Sequence, residues 1–344
     1  MSLNYSNIFP ADRVPAVTTA LENAFGRAVI SEAILLTGGL SAASVYKIIA
    51  DNRPYVMKLD IPHAYTSADP FEKIARASAA GIAPPLHYKN EEAGIIISEF
   101  IENNPIRSFF SGEALAVKLA EAVKKIHMIP YAVPGGNLQE TMDHLLAGFR
   151  RNNILSGPVP DECLRRYEEI KASYPWHDTD KVFSHNDLNP SNILCDGTAI
   201  WIIDWDTAFV NDRYLDLASV ANFFIHGPEQ EAAFLKTYFG EVNDYHISRF
   251  YVMRQISRII YAVMMLQLAA QAKPADYAHD QQMEGVFLKD VGPLLGSGAL
   301  SLATYEGQLM YGKALMNEAV QQMCTVRFED ALVLLKRHIM PAVR

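Results

Sequence analysis

The chain has 344 residues, of which half are hydrophobic and a fifth charged, which excludes a disordered or fibrous protein and fits one large core or two packed lobes. The formal net charge of −9, without a long run of Lys and Arg, argues against a nucleic-acid-binding surface. Three cysteines outside any CxxC spacing argue against a disulfide framework and favour a reducing compartment. The N-terminal segment lacks a basic start followed by an apolar run, so we expect a cytoplasmic protein without a membrane partner.

Strand-like alternation dominates the first hundred residues. Three apolar runs within residues 29–59 predict an antiparallel meander of three strands. A helix is predicted from residue 69 or 70 to residue 80, because Gly81 is well suited to close it. Two further strands are predicted at 84–90 and 94–100. This part of the chain therefore predicts a mostly antiparallel sheet with one helix.

Helical spacing takes over after residue 104, interrupted by a short β-like island over 181–205. Helices are predicted at 112–129, 139–151, 161–174, 214–224, 229–239, 244–272, 302–319 and 328–340. The pattern predicts an α+β fold of two lobes. Residues 1–101 would form a β-rich N-terminal lobe, and residues 102–344 a larger, mainly helical C-terminal lobe that contains a small hairpin.

The strongest local signal is an HxDxxxxN pattern formed by His185, Asp187 and Asn192, with an apolar strand on either side. A further aspartate, Asp204, directly follows the second of these strands, and this additional match makes a chance occurrence much rarer. Each carboxylate taken singly is equally well explained as a turn or helix cap. The set together favours a site of phosphoryl transfer.

The chemistry of phosphoryl transfer explains these residue types. A nucleoside triphosphate is accompanied by Mg²⁺, a hard cation that prefers oxygen ligands, and we expect Asn192 and Asp204 to supply them. Asp187 is the expected catalytic base, which orients the acceptor hydroxyl and accepts its proton. His185 is expected to hold the catalytic loop by packing or hydrogen bonding rather than to act as the base.

A second signal lies upstream, where Gly38, Gly39 and Ser41 separate two predicted strands. Glycines allow backbone N–H groups to approach phosphates, and the serine hydroxyl adds a donor. A phosphate-covering loop and a plain hairpin turn are both compatible with this pattern.

Lys58 lies between Met57 and Leu59 in an otherwise apolar strand. It is the expected cation for the α- and β-phosphates. Since an inward-facing lysine needs a carboxylate to offset its desolvation, we expect an ion pair with Glu72, or with Asp69 as the second choice.

The order of these motifs resembles the aminoglycoside phosphotransferase/choline kinase superfamily, which has a protein-kinase-like fold, and the match runs from about Leu35 to Ala221. The segments that carry the resemblance are GGLSAASVYKI, YVMKL, FEKIARASAAGIAPPLHY, IISEFIEN, SHNDLNPSNIL and IIDWDTAFVNDRYLDLA. They are similar, in that order, to the nucleotide loop, the lysine strand, the paired-glutamate helix, the hinge, the catalytic loop and the metal-binding segment. One departure is the run Ala42-Ala43-Ser44, where many relatives carry a polar residue.

The resemblance implies roles for residues beyond the HxDxxxxN pattern. The backbone of Glu99, Phe100 and Ile101 would meet the adenine at the hinge. Asp216 would support the catalytic loop, although an ordinary helix cap is the alternative reading. Asp206 would touch a metal-bound water or be structural.

The resemblance also implies ATP or GTP as the phosphoryl donor, Mg²⁺ as the cofactor, and a small-molecule hydroxyl as the acceptor. Acceptors of this kind are aminoglycosides, choline-like amino alcohols, sugars and hydroxy amino acids. One alternative is a non-catalytic, nucleotide-binding regulatory module of the same fold. Another is a hydrolase in which His185, Asp187 and Asp204 bind a transition metal, but the absence of a second nearby histidine weighs against it.

Three acceptor classes stay open from the sequence. A quaternary amine would need an aromatic cage. Aromatic residues available for a cage or for the core are Trp205, Phe223, Phe224, Tyr238, Tyr251 and Tyr261. A polycationic aminoglycoside would need several carboxylates, but Asp290, Glu306, Glu318 and Glu329 form no dense cluster. An anionic acceptor would suit Arg249, Arg254 and Arg258, which are otherwise expected to be solvated or paired.

Overall fold

The computed structural model describes residues 3–27, 29–36, 43–60, 70–131, 135–177 and 180–339. The chain divides into two compact units. The first unit comprises Met1–Pro134 and Phe183–Val210, and the second comprises Gly135–Val182 and Asn211–Arg344. The segment that carries the HxDxxxxN pattern therefore belongs to the same unit as the N-terminal sheet. The boundary expected after residue 101 stays a prediction.

A five-stranded antiparallel sheet forms the centre of the first unit. Its strands are β1 (Ile30–Leu36), β2 (Ser44–Ala50), β3 (Arg53–Leu59), β4 (Leu86–Asn90) and β5 (Ile95–Glu99). They are arranged in the order β1-β2-β3-β5-β4, and every pairing is antiparallel. The meander and the two later strands confirm the β-rich N-terminal region predicted from the sequence.

The core of this unit lies on one face of the sheet. Helix α1 (Val14–Phe25), which the sequence patterns did not predict, buries Val17 and Leu21 in a cluster with side chains of β2, β3 and β5. Met57 and Leu59 of β3 belong to this cluster. Because side chains alternate along a strand, Lys58 points to the opposite face of the sheet.

The first unit also contains helices α2 (Pro70–Ala79), α3 (Ile106–Phe109) and α4 (Gly112–His127) and strands β7 (Ile193–Cys195) and β8 (Ile200–Ile202). Strands β6 (Lys181–Ser184) and β9 (Phe209–Asp212) each have residues in both units. Strands β7 and β8 form a hairpin, whereas β6 pairs with β9. The N–H of Asn104 donates to the Cys195 carbonyl (2.7 Å), and the Cys195 N–H donates to Asn103 Oδ1 (3.0 Å). These bonds tie the segment after β5 to the hairpin.

The second unit is helical. Its helices are α5 (Leu138–Asn152), α6 (Pro158–Ser173), α7 (Arg213–Phe224), α8 (Pro228–Phe239), α9 (Asp244–Ala272), α10 (Leu288–Gly296), α11 (Tyr305–Met323) and α12 (Val326–Ile339). The long helix α9 packs against α5, α7, α11 and α12. The mainly helical C-terminal region is as predicted, although α10 was not foreseen.

The start of α7 corrects one expectation. Asp212, not Asp216, caps the helix, because its carboxylate accepts a hydrogen bond from the Tyr214 N–H (3.0 Å). Asp216 lies in the first turn and is fully buried. Asp212 also accepts from Arg249 Nη2 (2.8 Å) and from the hydroxyl of Tyr174 (2.6 Å). Arg249 is therefore a buried, paired residue rather than a solvated one.

Among the helices that the structure describes, none combines the length and the apolar character needed to cross a membrane.

Candidate active site

His185 anchors the loop between β6 and β7 from the inside. Its ring is fully buried, lies edge-on to the ring of Trp205 (4.9 Å between centroids), and has Nε2 3.0 Å from the Ile203 carbonyl oxygen. Its Nδ1 accepts a hydrogen bond from the N–H of Asp187 (3.3 Å). The ring thus donates from Nε2 and accepts at Nδ1, which ties the start of the loop to the residue that follows β8. This geometry suits the positioning role expected of His185.

The carboxylate of Asp187 is held from both sides. Asn189 Nδ2 donates to its Oδ1 (3.0 Å), and Asn192 Nδ2 donates to its Oδ2 (3.1 Å). Asn192 Nδ2 also lies 2.9 Å from the Asp187 main-chain oxygen, which fixes the amide further. The carboxylate of Asp187 is therefore oriented by two neighbouring amide groups.

The β7–β8 hairpin brings Asn192 and Asp204 together at its open end. Ile193 pairs with Ile202, and the N–H of Ile203 donates to the Asn192 carbonyl (3.0 Å). Since the Asn192 amide nitrogen is used by Asp187, its Oδ1 is the atom left for a cation. Asp204 has φ of 64° and ψ of 68°, a left-handed conformation that costs a non-glycine residue about 1–2 kcal/mol. Such local strain is typical of functional sites.

The electrostatics of the pair fit a divalent cation. Desolvation by the surrounding protein, followed by the Asp206 carboxylate, raises the pKa of Asp204. Lys58 and His185 act in the opposite direction without cancelling this effect, and Asp187 adds to it. Ionised Asp204 is thus disfavoured by its surroundings, and a bound cation such as Mg²⁺ would stabilise it. Within the described ranges, no three His, Cys, Asp or Glu side chains converge as a metal-ligand set.

The partner of Lys58 is Asp206. Lys58 Nζ lies 3.0 and 2.8 Å from the two Asp206 carboxylate oxygens, and 3.4 Å from Asp60 Oδ2. Burial lowers the pKa of Lys58, but the carboxylates of Asp206, Asp60 and Asp204 outweigh this effect and leave it raised. The ammonium group is therefore held charged beside the residues expected to bind the metal.

The predicted ion pair between Lys58 and Glu72 is wrong. Glu72 instead binds Arg76 (2.9 Å) and Lys89 (3.2 Å), and the hydrogen bond from Lys89 is the main cause of its lowered pKa. The next residue, Lys73, is buried and donates to the Asp206 carbonyl oxygen (2.9 Å). Successive helical residues are turned by about 100°, so α2 presents Lys73 to the 205–207 segment and directs Glu72 elsewhere. No sequence spacing links residues 58 and 206.

The hinge residues differ in what their backbones offer. The N–H of Glu99 donates to Pro85 (2.9 Å) and that of Phe100 to Pro54 (3.3 Å), so both donors are occupied. Within the described part of the chain, the N–H of Ile101 has no hydrogen-bond acceptor. Ile101 is thus the residue of the three with a free donor for a purine.

Four residues named from the sequence lie outside the described residues. They are Gly38, Gly39 and Ser41 of the expected phosphate loop and Asp69, the second-choice partner of Lys58.

Comparison with known proteins gives a family match over well over half of the chain. The family model described as "phosphotransferase enzyme family" (APH) matches residues 32–251. Two curated relatives match shorter stretches. An uncharacterized protein of Metamycoplasma hominis is 29% identical over 40% of this chain, and protein LicA of Haemophilus influenzae is 31% identical over 22%. These matches span 26% and 28% of the relatives' own lengths.

Several solved structures share the fold. A choline/ethanolamine kinase family protein from Mesorhizobium loti has a TM-score of 0.65 at 16% identity and covers 94% of this chain and 99% of that one. Spectinomycin phosphotransferase APH(9)-Ia, in complex with ADP and spectinomycin, has a TM-score of 0.53 at 17% identity, covering 75% and 91%. The choline kinase LicA from Streptococcus pneumoniae has a TM-score of 0.53 at 17% identity, covering 78% and 95%. At such identities the likeness concerns the fold.

Proposed function

This chain belongs to the phosphotransferase enzyme family, and from that premise we propose that it transfers the γ-phosphoryl group of ATP or GTP to a hydroxyl group of a small molecule. The observation that carries the proposal is the Asp187 carboxylate. It is held by two asparagine amides, one of which also belongs to the expected metal pair.

Asp187 has the geometry of a general base. The acceptor hydroxyl would donate its hydrogen bond to this carboxylate, and its oxygen would bond to the γ-phosphorus as the proton passes to Asp187. The bond from the γ-phosphorus to the bridging oxygen breaks at the same centre, and the nucleoside diphosphate leaves with that oxygen. Because the carboxylate is fixed on both sides, little reorganisation is needed at the moment of transfer.

Asn192 and Asp204 are the residues that would hold Mg²⁺. The asparagine would contribute Oδ1 and the aspartate its carboxylate, which are oxygen ligands of the kind that a hard cation prefers. When bound, Mg²⁺ would neutralise charge on the transferred phosphate. The raised pKa of Asp204, caused by desolvation and then by the Asp206 carboxylate, supports this assignment, since a bound cation would stabilise the ionised form.

Lys58 and Ile101 would contact the nucleotide. Lys58 is the cation for the α- and β-phosphates, and Asp206 and Asp60 position its ammonium group. The free N–H of Ile101 would donate to the purine ring. The expected phosphate loop at Gly38, Gly39 and Ser41 completes the proposal.

The acceptor is less defined than the chemistry. Related structures carry the names of a choline/ethanolamine kinase family protein, a choline kinase and a spectinomycin phosphotransferase, which suggests amino alcohols and aminoglycosides as compounds to test. Sugars and hydroxy amino acids belong on the same panel, because the family chemistry requires only a hydroxyl group.

The test is a coupled assay of ADP or GDP release with each nucleotide, with and without Mg²⁺, across that panel. Acceptor-stimulated, Mg²⁺-dependent release that is lost in Asp187→Asn would support the proposal. Nucleotide binding in a thermal-shift assay without release on any acceptor would favour the regulatory module. If neither nucleotide binds, the proposal fails.

A further inference from the structure

Helix α9 of the second unit carries a buried arginine that has no carboxylate partner among the residues that the structure describes. Arg249 pairs with Asp212, and Arg254 pairs with Glu231 (3.0 Å). Arg258, one turn after Arg254, is only 7% exposed. It makes one hydrogen bond, from Nη1 to the side-chain oxygen of Gln255 (2.7 Å), and no ion pair with any residue that the structure describes.

The opposite edge of this guanidinium is unsatisfied. Arg258 Nε is shielded from solvent and has no hydrogen-bond acceptor among the described residues. A buried charge that lacks both water and a counter-ion is strongly unfavourable. The Nε–Nη2 edge of a guanidinium is also the edge that binds a carboxylate through two parallel hydrogen bonds. The Nε–H of Arg258 is therefore a donor that a carboxylate on this edge would satisfy.

The neighbouring acids do not compensate this charge. Glu231 is shared between Arg254 and Arg327, and the carboxylate of Glu318 accepts a hydrogen bond from Gln322 (3.1 Å). Glu318 acts on Arg258 only through longer-range attraction, and burial, followed by repulsion from Arg254, lowers the pKa of Arg258 to about 10. Arg258 is still cationic at neutral pH. This cluster has three arginines and two glutamates, which leaves one positive charge in excess: Arg254, Arg258 and Arg327 with Glu231 and Glu318.

A half-buried aromatic pair adjoins this residue. Tyr261 follows Arg258 by three positions and so lies on the same face of α9. Its ring contacts that of Phe223 on α7 edge-on, with 5.8 Å between centroids. Both rings are partly exposed, so the face of α9 that holds Arg258 continues to the surface of the unit. Apolar walls with one well-placed polar group are typical of small-molecule sites.

We propose that the second unit binds a small organic carboxylate through the Nε edge of Arg258. A singly charged carboxylate matches the single excess positive charge, whereas a phosphate dianion would leave a negative charge in excess. This binding stands apart from the phosphotransfer chemistry. Where the proposed function also holds, hydroxylated carboxylic acids, including hydroxy amino acids, become the acceptors to try first.

The first test needs no ligand. Arg258→Met keeps most of the side-chain length and removes the charge, and replacing an uncompensated buried charge by an apolar side chain is neutral or stabilising. We expect the variant to resist urea at least as well as the wild-type protein. A clear loss of stability would show that the protein itself already compensates Arg258, and would overturn the proposal.

The second test measures binding by thermal shift at constant ionic strength. Each carboxylate is compared with a neutral counterpart: glycerate with glycerol, gluconate with sorbitol, and L-serine with L-serinamide. We expect stabilisation by at least one carboxylate but not by its counterpart, and a loss of affinity of roughly 10- to 100-fold in Arg258→Met. Arg258→Lys, which keeps the positive charge but lacks the planar guanidinium group, should also bind the carboxylate more weakly.

Arg327→Met is the matched control, because it removes an exposed arginine of the same cluster. It should keep the wild-type response to carboxylates. Absence of a carboxylate-specific shift in the wild-type protein, or its persistence in Arg258→Met, would overturn the proposal. Carboxylate binding without nucleotide turnover would count against the proposed function and leave the Arg258 site standing.

Discussion

The ammonium nitrogen of Lys58 contacts both carboxylate oxygens of Asp206, Oδ1 at 3.0 Å and Oδ2 at 2.8 Å. The backbone of Asp206 is held in turn by buried Lys73, which donates to its carbonyl oxygen (2.9 Å). Lys73 thus holds the main chain of Asp206, and the Asp206 carboxylate orients Lys58. Asp206, two residues after the expected metal ligand Asp204, therefore positions the lysine that is expected to bind the phosphates.

The contact between Lys58 and Asp206 predicts different outcomes for substitutions of two acidic residues, Asp206 and Glu72. Asp206→Asn should raise the KM for nucleotide by about tenfold, because a charge-assisted hydrogen bond that orients Lys58 is lost. Glu72→Gln is the matched control and should leave KM nearly unchanged, since Glu72 binds Arg76 and Lys89 instead. Asp206→Glu should restore part of the affinity. Steady-state kinetics on the three variants would measure this, and a larger effect from Glu72→Gln would contradict it.

The role of Asp187 predicts a separation of binding from turnover. Asp187→Asn should reduce kcat by about 10²- to 10⁴-fold, the usual contribution of a positioned general base. Nucleotide binding should stay close to that of the wild-type protein, because Asp187 is not expected to contact the nucleotide base or the α- and β-phosphates. Single-turnover assays together with nucleotide-induced thermal shifts would measure both quantities. Wild-type turnover in this variant would show that another residue is the base.

The stability of the protein should depend on pH through Asp204. Desolvation, followed by the Asp206 carboxylate, raises the pKa of Asp204 above its ordinary value of 3.8. A carboxyl group with a higher pKa in the folded state destabilises the fold when it ionises. That cost is absent below pH 3.8 and develops as the pH rises through the raised pKa.

The Tm of Asp204→Asn should therefore increase relative to that of the wild-type protein as the pH rises from acid to neutral, although the variant loses turnover. Thermal unfolding without nucleotide across that pH range would reveal the widening difference. Adding Mg²⁺ and nucleotide should narrow it, since the cation stabilises only the wild-type carboxylate. A difference in Tm that does not change with pH would show that ionisation of Asp204 does not destabilise the fold.

The crossing of α9 and α11 predicts a position that tolerates no side chain. A Cβ atom on Gly312 would lie 2.7 Å from Leu266 Cγ and 3.1 Å from the Ala262 carbonyl oxygen. Gly312→Ala should destabilise the protein by roughly 1–3 kcal/mol through overpacking. Gly292→Ala in α10 is the control, because nothing lies within 4 Å of its Cβ. It should be neutral or stabilising by up to about 1 kcal/mol, and equal urea midpoints would contradict the prediction.

Most of the fold could be predicted from local patterns. Alternation predicted the five strands of the N-terminal sheet, and helical spacing predicted α9 with the bounds that the structure shows, Asp244–Ala272. Helices α1 and α10 were missed. Pro293 within α10 weakens the local helical signal, whereas Pro15 lies in the first turn of α1, where proline is well tolerated. Both helices pack against neighbouring elements, α1 against β4 and β5 and α10 against α11.

The sequence by itself determined which residues are candidates for the site, because His185, Asp187, Asn192 and Asp204 lie in one short stretch whose spacing is readable along the chain. Only the tertiary structure decided which partner each charged group takes. Lys58 pairs with Asp206 and not with Glu72, since the rotation of α2 is set by packing. Arg258 differs from its paired neighbours on α9 for the same reason. Ion pairs form between side chains that the fold brings together, and no spacing along the chain specifies that distance.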